Sequence, residues 1–294
     1  MKIGISGSTG FIGTSLCQHL STGENEVVAI QRVLFEQENK KELFDLINTC
    51  DIVINLAGAP INKRWSYKYK KELYESRIFT TRKIASAINK SDKCRLFIST
   101  SAVGYYDSEK CYDESNISKG GGFSAELCKA WEREALNVSP EVRVVIMRLG
   151  IVLAPDGGAL KKMLLPIKTV GVAAVAGNGT QSFTWIDRDD LFSAISFIIK
   201  NDSLQGIINL TAPEQLTQRR FTEILARHYN KKYLIPIPKC VIKLIYGEAS
   251  EMMLNGQCVV PKHLIENGFR FQSPTLKKYL NNMTKKIKQK KEAL

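Results

Sequence analysis

Residues 1–32 read MKIGISGSTGFIGTSLCQHLSTGENEVVAIQR. Ile3-Gly4-Ile5 is a short apolar run of strand character, and Ser6 to Gly13 follows as a turn carrying Gly7, Gly10 and Gly13. Thr14 to Leu20 opens a helix, and Glu26 to Ile30 reads as a second strand. A strand, a glycine-rich turn, a helix and a strand in so short a span form the half-unit that holds a dinucleotide. Gly7 lets the chain leave the strand sharply, Gly10 lets backbone approach a pyrophosphate, and Gly13 lets the helix pack close to the sheet. The helix N-terminus adds N–H groups and partial positive charge for the phosphates. An NAD site usually ends its second strand in an acid that holds the ribose 2′-hydroxyl. Here no acid follows Glu26, and the stretch ends in Gln31-Arg32. An acid repels a 2′-phosphate and a guanidinium fork binds one, so the expectation is NADP (NADPH) rather than NAD, with Arg32 on the extra phosphate.

The 294 residues are enough for a large core and two lobes. With 44% hydrophobic and 24% charged residues, the composition is that of an ordinary globular protein. No secretory signal pattern and no membrane-length apolar stretch is found, so the chain is expected to be cytoplasmic and to make no membrane contact. Seven cysteines lie scattered without paired spacing, which predicts reduced thiols rather than disulfides or zinc. The net charge of +13 is partly a lysine-rich end, Lys277-Lys278 and Lys285 to Lys291, read as a fraying basic tail. The other lysines are spread through helices without interleaved aromatics, so no nucleic-acid partner is expected.

Beyond the first unit, strands and helices alternate. A helix is expected within Phe35 to Asn48, a buried strand at Asp51 to Gly58, and a long helix across Lys63 to Asn89 with Leu73, Ile78, Ile84, Ala85 and Ile88 in the core. Strands follow at Leu96 to Ser101 and Val142 to Leu149, with a helix at Glu126 to Leu136 between them. This order predicts an α/β fold, a Rossmann-type doubly wound parallel sheet. Later come helices at Ala159 to Leu165, Asp187 to Lys200 and Thr217 to Tyr229, the last with Thr217 as N-cap, and a short strand at Gly206 to Leu210. The last third is expected to form a smaller, mostly helical lobe over the sheet's carboxyl edge.

Gly7 to Gly13, Asn55-Leu-Ala-Gly58 and Ser99-Thr-Ser-Ala-Val103 together resemble the extended short-chain dehydrogenases/reductases. More narrowly, the chain is similar to the atypical, epimerase-like subfamily that ends in a DUF1731 domain. The stretches that carry this are Gly58 to Trp65, Ser76-Arg77 with Thr81, Ser101 to Tyr106, Arg148 to Val152, Gly157 to Leu160, Trp185 to Asp190 and Asn209 to Pro213, with Gly247 to Phe271 resembling the DUF1731 part. The resemblance implies an NAD(P)-binding domain over 1–215, with lid and substrate insertions from about residue 155, a DUF1731-like domain over 240–285, and the basic tail at 286–294. It implies cofactor contacts at Gly7, Ser8, Thr9, Gly10, Phe11, Ile12 and Gly13, at Arg32, at Leu56, Ala57 and Gly58, and at Arg77.

Typical members of that superfamily use Ser, Tyr and Lys, the Lys four residues after the Tyr on one helix face. Ser101 stands where the Ser belongs. The helix that should carry the pair reads Phe123-Ser-Ala-Glu-Leu-Cys-Lys-Ala-Trp-Glu132 and has no Tyr; its slots fall on Ala125 and Lys129 or on Ser124 and Cys128. Tyr106-Lys110 and Tyr67-Lys71 have the spacing by chance composition. Tyr105 lies nearer the position of a substrate-contacting aromatic. His19, His228 and His263 are far apart and suggest no metal site, Asp187 replaces a His of related proteins, and Val172-Ala173 replace a glycine pair. Two functions stand open: an NADP(H)-dependent oxidoreductase or epimerase on a small hydroxyl or carbonyl substrate, in which Ser101 orients the reacting oxygen and Tyr105, Tyr106 or an ordered water handles the proton, and a catalytically silent NADP(H)-binding sensor or partner-binding protein. The sequence names neither the substrate nor the oligomeric state.

Overall fold

The computed structural model describes residues 1–22, 24–116 and 120–292. In chain order it begins with β1 (Lys2–Ser6), α1 (Gly13–Leu20), β2 (Glu26–Ile30), α2 (Lys40–Ile47), β3 (Ile52–Asn55), α3 (Tyr67–Ile88) and β4 (Leu96–Ala102). Next are β5 (Cys111–Tyr112), α4 (Gly122–Ala135), β6 (Arg143–Leu149), β7 (Ile151–Ala154), α5 (Gly158–Thr169), β8 (Val172–Ala176), β9 (Trp185–Asp187), α6 (Arg188–Lys200) and β10 (Gly206–Leu210). The chain ends with α7 (Gln218–His228), β11 (Tyr233–Ile237), α8 (Lys239–Tyr246), α9 (Glu251–Leu254), β12 (Cys258–Val259), α10 (Lys262–Glu266) and α11 (Leu276–Glu292). Two units divide it. The first holds Met1–Tyr105, Lys119–Arg148 and Ile195–Ile208, and the second Tyr106–Ser118, Leu149–Ala194 and Asn209–Leu294.

The first unit is built on the six-stranded sheet, in the order β10-β6-β4-β3-β1-β2. β1 pairs in parallel with both β2 and β3, and β3 in parallel with β4. The chain thus runs outward to β2 and then returns to the other side of β1. That reversal opens a crevice between the carboxyl ends of β1 and β3, where ligands bind in open α/β sheets. β3 is buried along its whole length, and Ile3, Ile5, Ile54, Phe97 and Ile98 have no exposed surface, as strands covered on both faces require. The long helix α3 starts at its cap, where Ser66 Oγ accepts from Tyr69 N at 3.2 Å. Leu73, Ile78, Ile84, Ala85 and Ile88 are all buried, as their helical spacing predicts. The helix expected within Phe35 to Asn48 is α2, which starts at Lys40 and buries Leu43 and Ile47; a 3₁₀ turn at Arg32–Phe35 precedes it.

In the second unit Leu160, Leu164, Ile167, Phe183, Trp185, Phe221, Leu225, Leu276, Tyr279 and Leu280 form one core. Thr217 caps α7 as expected, accepting from Arg220 N at 3.2 Å. β8 and β11 pair in parallel. The Ile237 carbonyl accepts from Gly177 N at 2.9 Å, so the odd-numbered residues of β11 face β8 while Leu234 and Pro236 face away. The lysine-rich end is helical: Leu276, Tyr279, Leu280 and Met283 bury one stripe along the first part of α11, and the helix runs on to Glu292, exposed over 285–289. Ala293 and Leu294 lie outside the described residues. A second correction concerns the cysteines. Cys111 and Cys258, 147 residues apart, face each other across the parallel β5–β12 pair with Cα atoms 4.4 Å apart and are joined as a disulfide. Cys17, Cys50, Cys94, Cys128 and Cys240 are free. No helix among the described residues is long and apolar enough to cross a membrane.

Candidate functional site

The glycine turn leaves β1 at Gly7, whose φ of +71° suits glycine; a Cβ there would stand 2.8 Å from the Leu56 backbone. At Gly13 a Cβ would stand 2.1 Å from the Gly7 carbonyl oxygen. The third glycine therefore serves the closure of α1 onto the turn's own backbone, rather than onto the sheet as the sequence suggested. Gly10 differs: a Cβ there meets only the Gly7 oxygen, at 3.2 Å, and otherwise open space. Gly10 N donates to Gly7 O, and Gly10 O accepts from Thr14 N, both at 3.0 Å, so the turn is braced into the first helical turn. Ser8, Thr9, Phe11 and Ile12 complete it, with Thr14 Oγ1 donating to Ser8 O at 3.2 Å.

Opposite, β3 ends at Asn55 and the chain runs on into Leu56-Ala57-Gly58. Leu56 N donates to Ser6 O at 3.1 Å, and Ala57 N to Asn55 Oδ1 at 3.2 Å. Beneath them runs a buried polar ridge: Ser6 Oγ donates to Asn55 Oδ1 at 2.6 Å, and Asn55 Nδ2 and Trp131 Nε1 both donate to Thr81 Oγ1 at 2.8 Å. Arg77 reaches up from α3 and is 8% exposed. Its guanidinium lies under Gly58, where a Cβ would stand 3.0 Å from Cζ, donates to Ala59 O at 3.0 Å, and rests 5.2 Å over the Trp131 ring. It has no carboxylate partner among the described residues, and burial pulls its pKa down. Arg32, at the start of the 3₁₀ turn after β2, is exposed and makes no ion pair among the described residues.

At the end of β4, Ser101 is 1% exposed and its Oγ–H donates to Glu132 Oε1 at 2.6 Å. Arg148 of β6 grips the same carboxylate with two bonds, Nε to Oε1 at 2.8 Å and Nη2 to Oε2 at 2.7 Å. The Tyr105 ring covers that guanidinium, its centroid 3.4 Å from Cζ. The face of α4 turned to this end of β4 carries Ser124, beside Gly104, then Cys128, whose Sγ donates to Ala102 O at 3.8 Å, then Glu132. Lys129 instead reaches Gly120 O and Glu126. Ser124 and Cys128, rather than Ala125 and Lys129, thus lie against the segment that follows Ser101. Burial, and then the Glu132 carboxylate, push the Cys128 thiol up to about 11, so it stays protonated near neutrality. Tyr105, Lys129 and Glu132 line an open cavity of about 590 Å³.

Tyr106 is 1% exposed and its hydroxyl donates to Asn209 Oδ1 at 3.0 Å. Its ring stacks on Tyr112 at 5.2 Å. It is a buried brace of the second unit, with the hydroxyl that the sequence offered for proton transfer turned to Asn209. Asp187 is also buried. It accepts from Ser273 Oγ at 2.7 Å, and burial raises its pKa to about 6. Sequence reasoning missed Glu132 and Arg148 as a pair. The signal was Arg148 itself, a charge set in the apolar run Val144-Val-Ile-Met147, which must find a buried partner.

The pattern of the NAD dependent epimerase/dehydratase family matches residues 3–211, and that of a domain of unknown function, DUF1731, matches residues 237–283. An Arabidopsis thaliana protein described as a chloroplastic epimerase family protein SDR39U1 homolog is 34% identical over 290 residues, spanning 92% of this chain and 83% of its own. The mouse epimerase family protein SDR39U1 is 32% identical, spanning 96% of this chain and 99% of its own. The crystal structure of human epimerase family protein SDR39U1 (isoform 2) with NADPH superposes with a TM-score of 0.90 at 30% identity, covering 97% of this chain and 99% of that one.

Proposed function

The chain belongs to the NAD-dependent epimerase/dehydratase family, and from that premise we propose that it binds NADPH at the glycine turn and serves as an oxidoreductase or epimerase for a small hydroxyl- or carbonyl-bearing compound. The observation that carries the cofactor reading is the contrast between the glycines. The fold itself needs glycine at Gly7 and Gly13, but among the described residues only one carbonyl oxygen, at 3.2 Å, crowds Gly10. Bare backbone at Gly10 is what a closely held diphosphate requires. Arg77 adds a second reason: a buried guanidinium without a carboxylate partner is costly until an anion or a ligand oxygen meets it. The NADPH held by the human relative supports the same choice.

The nicotinamide, when bound, supplies hydride chemistry. This chain's residues would do the rest. The turn from Gly7 to Gly13 holds the diphosphate, Arg32 takes the 2′-phosphate, and Leu56 to Gly58 with Arg77 border the crevice. Because the Ser101 proton is given to Glu132, the Ser101 oxygen offers only lone pairs and orients a partner that donates to it. The Tyr105 ring covers the Arg148 guanidinium and borders the open cavity beside Glu132. Tyr106 has no part in this reading, since its hydroxyl is engaged with Asn209.

A silent NADPH-binding protein is the second reading, favoured by the lack of any tyrosine on α4 and by the engagement of Ser101 with Glu132. Fluorescence titration separates cofactor from catalysis. NADPH is expected to bind more tightly than NADH, and Arg32→Ala to lower the NADPH affinity about tenfold, the lower end for a charge-assisted contact at an exposed site. Equal affinities for the two nucleotides would remove the role given to Arg32. Oxidation of bound NADPH by any member of a panel of aldehydes, ketones and keto-sugars, lost in Ser101→Ala, supports the enzyme. Tight binding without turnover across the panel supports the silent protein.

A further inference from the structure

We propose that Cys111 and Cys258 form a thiol-exchange site, opened by low-molecular-weight thiols and closed by their disulfides, which fastens residues 106–116 to the segment around β12. Four observations carry it, all within the second unit. First, the two residues differ in access: Cys111 is exposed, whereas Cys258 is 9% exposed, so the approach of a small thiolate from solvent is directed to Cys111. Second, the surroundings of Cys258 suit a thiol. Gln215 Oε1 lies 3.0 Å from Cys258 Sγ, an acceptor that a disulfide sulfur cannot use and a protonated thiol can. Third, the orientation of that amide is fixed, because Gln215 Nε2 donates to the Pro213 and Val259 carbonyls at 3.3 Å each, which leaves Oε1 turned toward the sulfur.

Fourth, the segment stays docked when the cross-link opens. Val260 N donates to Tyr112 O at 2.9 Å and Lys262 pairs with Asp113 at 3.5 Å. Glu114 accepts from Asn209 N, Lys262 N and His263 N at 2.9–3.3 Å. The bond can therefore break and re-form without losing the register that returns the sulfurs to each other. Exposed disulfides are the labile ones, in contrast to buried structural bridges.

The exchange balances as follows. A small-molecule thiolate attacks Cys111 Sγ, the S–S bond breaks, and Cys258 leaves as a thiolate that takes a proton and donates it to Gln215 Oε1. A second small-molecule thiolate then attacks the outer, small-molecule sulfur of the mixed disulfide held on Cys111, which releases the small-molecule disulfide and leaves Cys111 as a thiolate that takes a proton from water. Two external thiols are oxidised as the two cysteines are reduced, and the reverse order closes the site. Residues 106–116 follow directly on Tyr105, so the thiol state sets how firmly the chain beyond the candidate site is held.

The test uses the full chain carrying Cys240→Ser, which removes the exposed free cysteine. Protein equilibrated in glutathione buffers of graded thiol-to-disulfide ratio is acid-quenched, alkylated and read by peptide mass spectrometry. Cys111 and Cys258 are expected to gain and lose alkylation together, reversibly, with the circular dichroism of the folded protein intact. Gln215→Met, which removes the acceptor, is expected to shift the balance toward the disulfide by about threefold to tenfold. Amide exchange over 107–116 and 258–263 should quicken on reduction while the rest of the chain holds. A bridge that resists glutathione until the protein is denatured would overturn the proposal, as would two thiols left free in oxidised glutathione. A Gln215→Met balance equal to that of the parent would equally overturn it.

Discussion

Replacing Glu132 or Arg148 should be far more costly than replacing both. The two side chains are 8% and 1% exposed and share two charge-assisted bonds of 2.7 and 2.8 Å. Glu132→Met takes from a buried guanidinium its carboxylate, and Arg148→Met leaves a buried carboxylate with Ser101 Oγ–H but without its cation. Breaking a buried pair from one side costs about 3–5 kcal/mol. The Tyr105 ring at 3.4 Å still faces Arg148, which puts Glu132→Met at the lower end of that range. The double variant replaces both charges with apolar chains of similar length and leaves one buried hydroxyl, Ser101, without its acceptor, at a cost of about 1–2 kcal/mol. The coupling energy should then be at least about 3 kcal/mol in favour of the pair. Urea unfolding at neutral pH, followed by circular dichroism and by fluorescence, measures it, provided the m-value is unchanged. Single substitutions that simply add, or a Glu132→Met protein within about 1 kcal/mol of its parent, would refute the reasoning.

The glycine turn offers a second contrast. Gly13→Ala drives a methyl to 2.1 Å from a backbone oxygen and should destabilise the protein by about 3 kcal/mol, seen as a lower Tm. Gly10→Ala should change stability by less than about 1 kcal/mol yet weaken NADPH at least about tenfold by titration. For Asp187, burial raises the folded pKa to about 6 from the ordinary 3.8, so the folded state takes up its proton first. Its contribution is full below about pH 4 and is lost as the pH climbs through 6, amounting to roughly 2–3 kcal/mol. Asp187→Asn should lack that decline, and parallel stability curves for the two proteins between pH 4 and 7 would contradict it.

Features written in local order were legible in the sequence. The spacing of Gly7, Gly10 and Gly13 encodes a backbone path, and the apolar spacing from Leu73 to Ile88 encodes one helix face, so both carried over to the structure. The order of strands and helices gave the sheet its class for the same reason. Features that depend on distant parts of the chain were not. Glu132 sits on a helix and Arg148 on a strand, and only tertiary packing makes them partners. Cys111 and Cys258 become neighbours through a two-residue strand pair with no local pattern of its own. The lysines of α11 hid a helix because its apolar stripe is sparse and its charge is not.

Pro236 carries a consequence for life at high concentration. On the side of β11 turned from β8, Leu234 offers a full peptide group but Pro236 has no hydrogen to give. A foreign strand approaching that flank would find its ladder broken after one rung. With Tyr233 73% and Ile235 51% exposed nearby, an unguarded flank would invite chains to stack into fibrils; the imino acid denies them the template.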